Sequence, residues 1–159
     1  MRLIKNFEAL AKNGTRKICL EIIEAGLSSI QPQKVIQENI SLKNNVLTIQ
    51  YQKINLHNFK RIFLLGFGKG SAGLSKHIEE ILGSSLTKGY VIDLEQEKFT
   101  NTEFTQGTHP LPSEPNLAFT QKTMKQFNNL TIKDLVIVVI AGGGSALFED
   151  PYKISLQKL

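Results

Sequence analysis

Apolar residues recur at three- and four-residue intervals up to Ile40, and beyond Arg61 they gather into short unbroken runs separated by glycine loops. The first pattern is helical, and the second belongs to strands buried on both faces. Leu3, Phe7 and Leu10 share one face of a short amphipathic segment over 3–12, which Asn13-Gly14 interrupts. Thr15 then reads as the N-cap of a helix over 16–28, with Ile18, Ile22 and Ala25 on its apolar side. Gln31-Pro32 opens another helix, with proline in its first turn and Val35, Ile36 and Ile40 as its buried positions. Asn44-Asn45 predicts a turn, and the alternation over 46–51 predicts a strand. His57 falls in the linker that follows.

The chain is organised around residues 61–74, RIFLLGFGKGSAGL. Five strand-like residues run into a loop of four glycines and one lysine, and helix-compatible sequence follows to Leu82. A strand that stops at such a loop and restarts as a helix aims backbone N–H groups at one point, at the positive end of the helix dipole. That place suits an anion, and Lys69 adds a full charge. A Gly-Ser-Ser turn leads to a strand over 89–93, then to polar loop or edge structure over 95–105. GTHPLPSEPN (107–116) precedes a helix over 117–128. Residues 134–147, DLVIVVIAGGGSAL, repeat the strand-to-glycine-loop design with a more apolar strand.

Strands alternating with helical patterns predict an α/β fold: a Rossmann-like, mostly parallel sheet with flanking helices. Ligands collect at the carboxyl ends of such strands, so the two glycine loops are expected to face one cleft. The sequence after 147 is a loop and the start of another helix, which barely covers the last strand. The expectation is an N-terminal portion, 1–159, of a larger domain, with a bare strand surface that favours self-association as a homo-oligomer.

Composition narrows the class. Hydrophobic content of 41% with 21% charged residues fits a soluble globular protein and excludes a disordered one. The net charge of +5 comes from scattered lysines without an arginine run or aromatic stripe, so the reading is no nucleic acid and a basic surface with one anion pocket. A single cysteine, Cys19, excludes an internal disulfide framework, and its isoleucine neighbours make it look like a small core residue. No apolar run approaches a membrane span and no secretory signal opens the chain, so the expected location is cytoplasmic.

The first loop nearly fits two fingerprints. A Walker A loop fails, because Gly70 follows Gly68-Lys69 where Ser or Thr is needed and Phe63 stands at the first glycine position. The dinucleotide pattern GxGxxG occurs as Gly68, Gly70 and Gly73, with Asp93 ending the next strand, and supports a nucleotide-dependent dehydrogenase as an alternative. Against it, Gly66 is the first glycine by position, and Ser71 then replaces the third. In the second loop, Gly142, Gly143 and Gly144 permit close backbone approach to a ligand, and Ser145 offers a hydroxyl or an N-cap. His109 is either a loop-fixing residue or a catalyst, while His57 and His77 read as surface residues. No His, Cys and carboxylate set has metal-ligand spacing, and no Ser/His/Asp arrangement stands out.

Three stretches in this order, GFGKGSAGL (66–74), THPLPSEPN (108–116) and DLVIVVIAGGGSAL (134–147), resemble the glycerate 2-kinase family, the type II glycerate kinases of the MOFRL group. The opening AGLSSIQPQKVIQENI (25–40) is also similar to that family's. The resemblance implies ATP-dependent phosphorylation of the 2-hydroxyl of D-glycerate to 2-phosphoglycerate with Mg²⁺. It also implies a Rossmann-like larger domain, a second α/β domain, and further catalytic residues beyond Leu159. Lys69 would be catalytic. Gly66, Gly68, Gly142, Gly143, Gly144 and Ser145 would bind the nucleotide, and His109 with Ser145 would bind glycerate. Thr108, Ser113 and Ala141 depart from the family's usual Gly, Asp and Ser. Members often carry the name hydroxypyruvate reductase. The alternatives are a non-catalytic fragment that binds phosphate or a sugar acid and an NAD(P)-dependent hydroxypyruvate reductase.

Overall fold

The computed structural model describes residues 2–158, without the side chain of Gln157. A short helix α1 (Phe7–Leu10) leads to α2 (Gly14–Ser29) and α3 (Pro32–Asn39). The cap of α2 is Asn13, not Thr15: Asn13 is extended and its Oδ1 accepts from the Arg16 N–H at 2.9 Å, so the helix begins at Gly14. None of α2's residues is buried, and Ile18 and Ile22 are 59% and 67% exposed. Cys19 is likewise exposed rather than a core residue. The cause is position: α2 packs against α1 and α3, away from the sheet.

A small antiparallel sheet follows, made of β1 (Ile40–Lys43), β2 (Val46–Ile49) and β3 (Gln52–Asn55). Asn44 and Asn45 both take positive φ, the requirement of a tight hairpin turn. The expected strand over 46–51 stops at Ile49 because Gln50, at φ +52°, turns the chain into β3. Leu47 and Leu56 are buried and carry this layer onto the main core.

The main sheet holds β4 (Arg61–Phe67), β5 (Lys88–Asp93), β6 (Thr102–Gln106) and β7 (Asp134–Ile140), all parallel, in the order β6-β5-β4-β7. Helix α4 (Ser71–Leu82) connects β4 to β5, α5 (Glu114–Phe127) precedes β7, and the one-turn α6 (Gly144–Leu147) follows it. This is an α/β fold. Alternate residues of the central strands build two cores. Ile62, Leu64 and Val139 pack with Ile36, Ile78 and Leu82 on one face, while Leu65, Tyr90 and Ile92 pack with Phe119 and Leu147 on the other. β7 is an edge strand despite its apolar sequence, with Val138 48% and Ile140 69% exposed. Among the described residues no helix is long and apolar enough to cross a membrane.

The register sets the site. Phe67 lies opposite Ile92 on one side and Ile140 on the other, so β4, β5 and β7 end level. At the other end of the sheet, Arg61 Nε and Nη2 grip Asp134 Oδ1 and Oδ2, each at 2.7 Å, and lock that register. The guanidinium, with the Thr131 N–H and hydroxyl, holds the Asp134 carboxyl far below the usual carboxylate range. A depressed folded value means stability that is present above the unfolded pKa of about 4 and lost as the pH falls toward the folded one. Asp134→Asn is therefore expected to be less stable than the parent at pH 7. The gap should close as urea titrations are repeated below about pH 4.

Candidate active site

The two glycine loops meet. The Lys69 N–H donates to the Gly142 carbonyl at 2.7 Å, and the Ala141 N–H donates to the Phe67 carbonyl at 3.0 Å. Gly68, at φ +109°, makes the crossing possible: a Cβ there would overlap the Ala141 carbonyl. Gly66 has a different place. It is the sixth residue of β4, and its missing Cβ leaves room for the Ser75 hydroxyl of α4, so it serves strand–helix packing and does not reach the loops.

Several amides at the start of α4 are already paired within the chain. Asp93, 2% exposed at the end of β5, accepts from the N–H groups of Gly70 and Ala72 through Oδ2, each at 2.9 Å. Its Oδ1 accepts from the Leu94 N–H at 2.6 Å. The N–H groups of Gly70 and Ala72 thus face the chain's own carboxylate. Both Asp93 oxygens already accept N–H bonds and the residue is 2% exposed, which counts against the ribose contact on which the dinucleotide alternative depended. Asp93→Ala should cost about 3 kcal/mol of stability by chemical denaturation, since three N–H groups lose a charged acceptor.

The second loop is arranged differently. Among the described residues, the N–H groups of Gly143, Gly144 and Ser145 donate to no protein acceptor. A Cβ on Gly142 would point into open space, while Gly144 is buried against the Phe67 ring. Ser145 is not a cap: Gly143, at φ +72°, holds the N-cap position, and Ser145 sits exposed inside α6 with a free hydroxyl. Gly143 is where the three motifs come together. A Cβ on it would lie 2.5 Å from His109 Nε2 and 3.3 Å from Lys69 Cε. Lys69 is exposed and, among the described residues, forms no ion pair. It also borders a cleft of about 390 Å³ on the α4 side, with Pro32, Gly73, Leu94 and Glu95.

His109 is half-buried in the loop between β6 and α5. That loop is fixed by Asn116, a residue within the quoted PSEPN stretch whose role its sequence did not reveal. The helix α5 begins at Glu114 rather than 117, because Ser113 and Pro115 form its cap and first turn, and this places Asn116 under the loop. His57 and His77 stand apart, paired with Asn45 and Glu80. Among the described residues no group of three or more His, Cys, Asp or Glu is gathered as a metal set.

The family model for DUF4147, a domain of unknown function, matches residues 18–159. The chain belongs to the DUF4147 family. A glycerate 2-kinase from Picrophilus torridus is 32% identical over 152 residues, covering 94% of this DUF4147 chain and 34% of that protein. A D-glycerate 2-kinase from Thermotoga maritima is 26% identical over 148 residues, covering 91% and 32%. Among solved structures, a Pyrococcus horikoshii protein, PH0495, superposes with a TM-score of 0.78 at 22% identity, covering 91% of this chain and 33% of that one. The Thermotoga maritima glycerate kinase superposes at 0.71 with 24% identity, covering 89% and 32%. These structures share the fold. The DUF4147 chain spans about a third of the length of these relatives, and the resemblance carried by its three motifs extends over most of it.

Proposed function

We propose that this chain supplies part of the active-site cleft of an ATP-dependent glycerate 2-kinase, a protein of its relatives' length that converts D-glycerate to 2-phosphoglycerate. The observation that carries this reading is the convergence at Gly143: a free lysine, an imidazole and a run of unpaired amides around a position where a side chain would not fit. Phosphoryl transfer needs little covalent chemistry from the protein and much positioning and charge neutralisation. ATP, when bound, supplies the transferable phosphoryl group.

The N–H groups of Gly143, Gly144 and Ser145 hold an anionic group, of the nucleotide or of glycerate, without an opposing protein acceptor to displace. Lys69 offsets charge on the transferring phosphoryl group or on the glycerate carboxylate. His109 orients the substrate above Gly143, and the Ser145 hydroxyl offers one further contact. The described residues do not make up a Mg²⁺ ligand set. Hard divalent cations of this size commonly keep phosphate and water ligands. The same reading places the protein in the cytoplasm with small-molecule partners.

The test is a coupled assay on the full-length protein carrying this chain. D-glycerate should drive ADP release, with 2-phosphoglycerate as the product. Oxidation of NADH by hydroxypyruvate without any ATP consumption would overturn the proposal.

A further inference from the structure

Asn116 is fully buried in the first turn of α5, at 0% exposure. A buried carboxamide is costly unless its polar atoms are paired, and here all of them are. Oδ1 accepts from the Thr108 N–H at 2.9 Å and from the Ser113 hydroxyl at 3.0 Å. Nδ2 donates to the Thr108 carbonyl at 3.0 Å and to the Ala146 carbonyl at 2.9 Å. The amide orientation follows from these partners, because a flipped group would set its oxygen against two carbonyls and its NH₂ against an N–H.

Two consequences follow for the site. Thr108, the residue before His109, is gripped at both its N–H and its carbonyl, which leaves the direction of the loop little freedom. The bond to Ala146 crosses to the residue after Ser145. Among the described residues it is the one hydrogen bond joining the His109 loop to the second glycine loop. The His109 ring itself forms no hydrogen bond among the described residues, so its place over Gly143 depends on the backbone that Asn116 holds.

We infer that Asn116 is a positioning residue: it sets the His109 imidazole over Gly143 beside Lys69 without touching substrate. The kinetic side of this inference rests on the kinase reading, while its geometric side does not. Aspartate is the sharp substitution. It keeps the acceptor oxygen but replaces the donating NH₂ with a second oxygen, which would face the Thr108 and Ala146 carbonyls and repel both.

In the NMR spectrum of the full-length protein, the assigned imidazole Cε1–H signals of His57 and His77 serve as internal references for that of His109. In Asn116→Asp the His109 signal should move while the other two hold. In the full-length protein kcat should fall about tenfold to a hundredfold, the range that a displacement of about 1 Å produces. Asn116→Ser, which brings no repelling charge but cannot bridge both segments, should show the same change in weaker form. A folded variant with His109 unmoved overturns the inference, and so does unfolding of both variants, which would make Asn116 a residue of the fold alone. Absence of glycerate-dependent turnover in the parent would sink the kinase reading, yet the His109 signal would still decide the role of Asn116.

Discussion

Gly143→Ala is expected to lower glycerate-dependent turnover of the full-length protein by about a hundredfold while the chain stays folded. The effect has two sources. At φ +72° a Cβ is strained, which costs about 1–2 kcal/mol of stability. The larger effect is on function, because the methyl group would take the space of the His109 ring and press on the Lys69 side chain. Both groups must move, and a shift of about an ångström in a positioning group is enough for a loss of that size. Gly142→Ala is the structural control. Nothing lies within 4 Å of a Cβ there and its φ is not in the left-handed region, so its melting temperature should match the parent's. Steady-state kinetics and thermal melts of the two variants separate strain from displacement.

Lys69→Ala should cost about a hundredfold to a thousandfold in kcat, the usual loss when one charge-stabilising donor leaves a phosphoryl or acyl transfer site. That corresponds to about 2.7–4 kcal/mol of transition-state stabilisation. Stability should hardly change, since Lys69 is exposed and, among the described residues, makes no ion pair. Its backbone N–H bond to Gly142 survives the substitution. Near-normal kcat in a purified, folded Lys69→Ala protein would remove Lys69 from the mechanism.

What the chain reveals locally and what it hides divide along physical lines. The β7 strand was legible within 134–147, because its apolar run is ended by three glycines. That the two glycine loops meet followed from parallel strands ending level, and the Lys69–Gly142 bond joins them, although the cleft beside Lys69 is lined by the first loop and not by the second. Periodicity reports an apolar face but not what covers it, so Ile18, Ile22 and Cys19 read as core while α2 lies off the sheet. The polar β6 and β3 carry too little alternation to stand out from loops. Asp93 lies at the position of a ribose ligand, and only the level ends of β4 and β5 show that it reaches back to cap α4. Asn116 gave no signal at all, because a buried asparagine between two loops has no pattern in one dimension.

The central claim is that the second glycine loop, not the first, receives the anion. An amide NMR titration of the ¹⁵N-labelled chain with inorganic phosphate tests it most directly. The signals of Gly143, Gly144 and Ser145 should move in a saturable way, while those of Gly70 and Ala72, held by Asp93, stay in place. Movement of Gly70 and Ala72 with a silent glycine triplet, or no movement in either loop, would contradict the account.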